Sequence, residues 1–573
     1  MKDDVPSVYA WGPSAQAQGG WHFGIWAPGA SEVEIHISDQ RHAAHHTGDG
    51  WFSVQISGNP GDVYRISVDG VEIVDPAARW MDSLTGPTRL PGLLQRTQIG
   101  PVRRWDEAVI LEIHIGTFTA EGTFAAAASR MTEIARLGIT AIEFMPINMF
   151  PGKRGWGYDP AFPFAPHPAY GTPAELAALV DAVHDAGMLA ILDVVYNHFG
   201  PEGVSLPNLA PDFFDRERHT PWGPGINYNA VQVRDYFIEN ARMWILEYGF
   251  DGLRLDALHQ IHDSSEPHLV DRIARALRAA PHRPVFLIAE DERNLPDHRD
   301  AGTITANWND DYHHAVHCLL TGEDEGYYAN FAVDPLGDLA RALAEGHVEQ
   351  GQPRVAQDNG RGAPVDHLAP VHFINANQTH DQIGNRAKGE RLISLISPDA
   401  ARIAHALLLC SPAIPMLFMG EEEGARAPFL FFADYGGALA DAIRQGRARE
   451  FARFSQFGGP VPDPMTEETF AASRPYVNPA SDAKQWRDMT RLCLTFRAAA
   501  IVPLLRSGEA GSPEIRRIGS CALHARWYFK AGTLESVVHF GEKGDETVDL
   551  DNPGLQIGAP EDPYYFATRV LEP

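Results

Sequence analysis

Three acidic residues each follow an apolar, strand-like run: Asp256 in GFDGLRLDALH, Glu290 in VFLIAED and Asp381 in VHFINANQTHD. A fourth run, MLAILDVVYNH, carries Asp193 and ends in Asn197 and His198. Ligands of parallel α/β barrels bind at the C-terminal ends of the strands, so these side chains are expected to converge in one cleft. Carboxylates gathered around one site, with His and Arg nearby, are the machinery of glycoside cleavage.

Within GLRLDA, Arg254 and Asp256 are two residues apart and point to the same side of their strand. A guanidinium there favours an ionised Asp256, as a nucleophile requires. A structural Arg–Asp pair is the plainer alternative. Glu290 ends the almost wholly apolar VFLIAE, an environment expected to favour the protonated form that a general acid needs. Asp381 follows His380, and an ionised carboxylate opposite the nucleophile would favour an oxocarbenium-like transition state.

The elements that must position these groups are legible in the runs around them. From about residue 106, eight strand-like runs alternate with helical ones: VILEIHIG, ITAIEFMP, MLAILDVVYNH, GLRLDA, VFLIAE, TITANW, VHFINA and IPMLFMG. The pattern predicts a (β/α)8 TIM barrel over 96–507 with long inserted loops. A doubly wound open sheet is the alternative, but no glycine-rich phosphate turn follows any strand. Residues 1–95 alternate apolar and polar positions in WHFGIWAP, SEVEIHIS, WFSVQIS and DVYRISVDG, which predicts an N-terminal β-sandwich. Short strands return over 508–573 and predict a C-terminal β-sandwich. The fold class is therefore α/β, flanked by two β-domains.

Composition narrows the partners. The chain has 573 residues and a formal charge of −28, with 44% hydrophobic and 21% charged residues. Nucleic acid and anionic membranes require basic patches, so neither is an expected partner. Cys318, Cys410, Cys493 and Cys521 are far apart, with no metal-ligand spacing, as befits free thiols in a reducing cytoplasm. No segment reaches the ~18 apolar residues of a membrane span, and no signal core opens the chain. The His-rich loop HAAHH reads as exposed, and with no HExxH or EF-hand loop, neither a metal nor another cofactor is expected.

DVVYNH, GLRLDALH, LIAED and the THD of NQTHDQIGN, in this order, resemble the four signature segments of the alpha-amylase family of glycoside hydrolases. The resemblance covers nearly the whole chain and implies the same barrel between two β-domains. It implies Asp256 as nucleophile, Glu290 as proton donor and Asp381 as transition-state stabiliser. It also implies that Asp193, Asn197, His198, Arg254 and His380 line or support the cleavage subsite, and that Tyr158 of GWGYDP is the aromatic platform for the sugar.

FPGKRGWGYDP, HTPWGPGINYN, ANWNDDYHHAVHCLLTGEDEGYY and LFMGEEEGARAPFLFF resemble one subgroup, whose members release trehalose from the end of maltooligosyltrehalose. A maltooligosyltrehalose synthase is then the implied pathway partner, with other α-1,4-glucans as related ligands. His259 would reach the leaving group. Asn309, Asp310, Asp311 and His313, with Gln382, Asn385 and Arg386, would recognise trehalose hydroxyls, a solvated turn being the plainer reading of the first four. A glycogen branching enzyme and a catalytically inactive glucan-binding protein are the competing functions. Two positions depart from the pattern: Thr379 stands where the family has Asn, and Glu423 where the subgroup has an aromatic, so support of Asp381 and a sugar-stacking surface are in question.

Overall fold

The computed structural model describes residues 10–573 apart from 17–18, 93–99, 101–102, 221–222, 280–283, 356–358, 452–460 and 542–547. The expected boundary between 95 and 96 lies outside the described residues, as do Pro221 and Trp222 of HTPWGPGINYN.

Eight parallel strands close into a barrel: β1 (Ile110–Ile113), β2 (Ala141–Phe144), β3 (Leu189–Val194), β4 (Gly252–Leu255), β5 (Phe286–Ala289), β6 (Ala306–Trp308), β7 (Phe373–Ala376) and β8 (Ile414–Phe418). Each is one of the eight runs read from sequence. Burial on both faces explains why they are near-continuously apolar. Ile110, Ala141, Ile191, Ile288, Ile374 and Met416 fill the barrel floor. Leu111, Ile142, Leu192, Leu253 and Leu417 face the surrounding helices and share their core. Among those helices, Pro173–Asp185 starts in a capping box, in which Thr172 and Glu175 satisfy each other's backbone N–H groups.

Two antiparallel sheets form the N-terminal β-domain. One contains Trp21–Trp26 and Trp51–Ile56, the other Val33–Ile37 and Val63–Val68. Trp21, Phe23, Ile35, Phe52, Tyr64 and Ile66 pack between them. This domain is anchored by Trp11. Its backbone N–H and that of Ala10 donate to the Glu239 carboxylate at 3.0 and 2.7 Å, on the barrel helix Val231–Arg242. The Trp11 indole meets Trp51 and Tyr236 edge-on, with ring centroids 5.1 and 5.0 Å away. The C-terminal β-domain is one five-stranded antiparallel sheet. Its other layer comes from the barrel: the helix Pro398–Cys410 packs on it, and the Trp527 indole N–H donates to Leu343 O at 3.0 Å.

Two helical features escaped the sequence reading. The helix Val231–Arg242 continues through a π turn, Met243–Glu247. The polar stretch after β6 is the helix Asp310–Thr321, closed by Gly322 at φ 73°.

Candidate active site

Arg254 organises the C-terminal mouth of the barrel. Its side chain is 2% exposed. Nη1 donates to both Asp193 oxygens at 3.1 and 2.9 Å and to Asp256 Oδ1 at 3.0 Å, and Nη2 pairs with Glu290 Oε2 at 2.9 Å. One guanidinium thus holds carboxylates from the ends of β3, β4 and β5. The Trp308 ring lies 4.0 Å from its central carbon and covers it from β6.

Asp256 is further fixed by Asn197, whose amide donates to Asp256 Oδ2 at 2.7 Å and to its carbonyl at 2.8 Å. His198 bonds the Asn197 carboxamide through Nδ1 and reaches Tyr158 O through Nε2 at 2.8 Å. The chain then turns sharply: Ala257 has φ 39°, ψ 55°, a left-handed conformation uncommon for a residue with a Cβ. That turn aims the Ala257 N–H at Glu290 Oε2, 2.8 Å away. The environment of Glu290 therefore differs from the expected apolar pocket. The side chain is 24% exposed and its carboxyl is held by a guanidinium and a backbone donor, because the apolar residues of its strand lie below it, not around it.

Asp381 does not end a strand. β7 stops at Ala376, and Asp381 occupies the first turn of the short helix His380–Gly384. Thr379 caps that helix: its hydroxyl accepts the Asp381 N–H at 3.2 Å, and Gln382 Oε1 accepts the Thr379 N–H at 2.8 Å. Threonine at this departing position therefore still supports Asp381. Asn385 donates to Asp381 Oδ1 at 2.6 Å. Burial raises the Asp381 carboxyl above the usual range despite the neighbouring His380.

His380 is buried against Glu112 of β1, which contacts both its Nδ1 and its backbone N–H. Burial alone would lower the imidazole; the Glu112 carboxylate outweighs it and the net shift is upward. The Tyr158 ring stacks on His380 with centroids 5.0 Å apart, and its hydroxyl donates to Asp193 Oδ2 at 2.6 Å. Burial pushes Asp193 up to about 7 against the pull of Arg254.

The residues expected to contact the leaving group divide into two sets. Asp310 faces the cleft: burial, then the like charges of Glu290 and Asp381, push it up to about 7. Gln382 Nε2 lies 3.5 Å from its Oδ1. His259, on the turn after Ala257, reaches Glu292 at 3.3 Å. Asn309, Asp311 and His313, by contrast, are buried and bonded to protein. Asn309 donates to Gly346 O and Asn375 Oδ1. Asp311 accepts from Val348 N, Glu349 N, Asn294 and Arg361. His313 bonds Asn377 O and the Tyr328 hydroxyl. These three shape the loop wall: Asn309 precedes the helix and the helix turns Asp311 and His313 inward, where a solvated turn would leave them open. Arg386 is held by Glu323 at 2.8 and 2.9 Å.

Glu423 is 4% exposed and pairs with Arg487 at 3.2 Å, so this position is an ion-pair site, not a sugar-stacking surface. Tyr327, absent from the sequence reading, is 54% exposed, and its hydroxyl feels the charge of Asp381. The pair YY in GEDEGYY was its only sequence signal.

A closed parallel barrel whose C-terminal mouth gathers Asp256, Glu290 and Asp381, the first two on one arginine, is the arrangement of a glycoside hydrolase. The description "Alpha amylase, catalytic domain" matches residues 79–205. The chain is 39% identical over 496 residues to the malto-oligosyltrehalose trehalohydrolase of Deinococcus radiodurans, covering 82% of this chain and 81% of the relative. It is 37% identical to that of Rhizobium sp. (strain M-11), with 94% of each covered. A crystal structure from Salmonella typhimurium described as an alpha amylase superposes with TM-score 0.92 at 40% identity, covering 98% of this chain and 100% of that one. The chain belongs to the malto-oligosyltrehalose trehalohydrolases of the alpha-amylase family. Among the described residues, no helix is long and apolar enough to cross a membrane.

Proposed function

We propose that this hydrolase cleaves the α-1,4-glucosidic bond next to the terminal trehalose of maltooligosyltrehalose, releasing trehalose and a maltooligosaccharide. The observation that carries the chemistry is the Arg254 bridge, which donates to Asp256 through Nη1 and to Glu290 through Nη2. Carboxyls held on two nitrogens of one guanidinium suit the separation of about 5–5.5 Å that a retaining pair uses. The substrate comes from the names of the relatives.

In the first step Asp256 attacks the anomeric carbon of the maltooligosyl unit. Glu290 gives its proton to the departing O4 of trehalose, leaving a covalent glycosyl-enzyme. In the second, water attacks the same carbon and loses a proton to Glu290, so Asp256 departs as carboxylate and the α-configuration is restored. Asp381 holds ring hydroxyls and balances oxocarbenium charge; Tyr158 and His380 form the floor of that subsite. Asp310, His259 and Gln382 face the trehalose end, with Asn385 beside Asp381. A maltooligosyltrehalose synthase is the reaction partner that would supply the substrate. The four cysteines are free, which suits a reducing cytoplasm.

Incubation with maltooligosyltrehalose should release trehalose, and incubation with amylose should yield no new branch points. A branching enzyme would do the reverse. The similarity to a branching enzyme, 30% identity over 41% of this chain, is confined to a much smaller part of it.

A further inference from the structure

The barrel interior beneath the cleft contains a carboxyl group that the reaction above does not use. Glu143 lies on β2, directly beside Glu112 of β1 in the parallel register, and is 1% exposed. Neither of its carboxyl oxygens has a hydrogen-bond partner among the described residues. The groups facing it are Glu112 from β1, Asp193 from β3, Arg254 from β4 and the Trp308 indole N–H from β6. That N–H does not reach hydrogen-bond geometry, and Arg254 Nε is also buried without a partner.

Apart from Arg254 Nε, the polar ends of each charged neighbour are already committed. Glu112 holds His380, and Asp193 holds Arg254 and Tyr158. The Nη groups of Arg254 serve Asp193, Asp256 and Glu290. An ionised Glu143 would be an unpaired buried anion between two carboxylates, a state that proteins avoid by neutralising the group. It would also compete for the one guanidinium that holds the catalytic pair.

We propose that Glu143 is a positioning residue of this hydrolase: present as the neutral acid, it leaves Arg254 to Asp193, Asp256 and Glu290, and leaves His380 to Glu112. Burial, followed by the like charges of Glu112 and Asp193, pushes its carboxyl well above the usual range. The inference rests on the reading of Asp256 and Glu290 as the catalytic pair.

The experiment compares Glu143→Gln and Glu143→Ala with wild type in the full-length protein. The amide keeps the shape and neutrality of the acid, so E143Q should retain kcat within about threefold and keep the acid limb of the kcat/KM–pH profile in place. E143A, which opens a cavity beside Arg254 and Glu112 and lets both side chains shift, should lower kcat about tenfold or more with KM little changed. Infrared difference spectra of wild type against E143Q, taken without substrate near neutral pH, should show the loss of a protonated-carboxyl C=O band. Loss of carboxylate bands instead, or an acid limb displaced to lower pH in E143Q, would show that Glu143 is charged and overturn the proposal. Wild-type kcat in E143A would overturn it equally. Should E143Q fail to fold, Glu143→Leu carries the pH and infrared tests. Trehalose release by wild type tests the parent reading separately.

Discussion

The Thr379 hydroxyl accepts the backbone N–H of Asp381 at 3.2 Å, so the residue that begins the helical turn also sets the placement of the third carboxyl. Three backbone positions of that turn depend on one side-chain oxygen and on Gln382.

Thr379→Val keeps the volume but loses the cap. It should cost about 1 kcal/mol of stability, typical of an N-cap, and reduce kcat/KM through a misplaced Asp381. Thr379→Asn and Thr379→Ser should restore most of both. Thermal unfolding and initial rates on the same four proteins provide the check, and a valine variant with unimpaired turnover would separate the cap from catalysis.

Asp256→Asn, Glu290→Gln and Asp381→Asn should each reduce turnover by several orders of magnitude without unfolding the chain, and their effects should not add. Arg254→Lys should also be severe, since an ammonium cannot present the planar fork that reaches three carboxyls. NMR during early turnover should show the α-anomer at the new reducing end; first appearance of the β-anomer would exclude the retaining mechanism.

Specificity should reside in Asp310 and His259, not in the buried Asp311. Asp310→Asn and His259→Ala are expected to lower kcat/KM for maltooligosyltrehalose about tenfold more than for a plain maltooligosaccharide, because a site built around hydroxyls discriminates by the bonds it loses. Asp311→Ala leaves Arg361 to Glu349 but strands the Asn294 amide and two backbone N–H groups, and should appear as a stability loss of about 2–3 kcal/mol with an unaltered substrate ratio. The ratio of the two kcat/KM values across these variants distinguishes the roles.

Burial pushes Glu421, which follows β8, up to about 8 from 4.5, while its carboxyl accepts the Phe418 N–H at 3.1 Å. A carboxyl raised in the folded state contributes stability that is fully present below its unfolded value and lost as pH rises through the folded one. Between pH 4.5 and about 8, wild type should therefore lose stability relative to Glu421→Gln by up to about 1.4 kcal/mol per pH unit. Denaturant melts of the two proteins at several pH values measure this difference, and parallel curves would refute it.

The barrel was legible because strands buried on both faces are written as unbroken apolar runs, and Asp256 and Glu290 stood out as the charges ending two of them. What could not be read was which charge meets which. Glu112 finds His380 across 268 residues of chain, and Arg254, beyond the Asp256 two residues away, takes Asp193 and Glu290 from the neighbouring strands. Such pairings are decided by barrel closure, which leaves no local mark. Glu143 did leave one, a lone acid inside ITAIEFMP, but a single charge in an apolar strand does not say that it stays neutral. Asn309, Asp311 and His313 looked like a binding loop because polar density alone does not reveal that a helix starts after Asn309 and turns the other two inward.

The attachment of Trp11 to Glu239 bears on how this enzyme can be handled. A barrel expressed without its first β-domain would leave Phe213 and Tyr236 without the indole that covers them, along with a carboxylate stripped of both its amide donors. Such a fragment should be sticky and short-lived, and gluing a foreign module onto residue 12 should fail for the same reason. The two parts work as one casting, to be produced and truncated together.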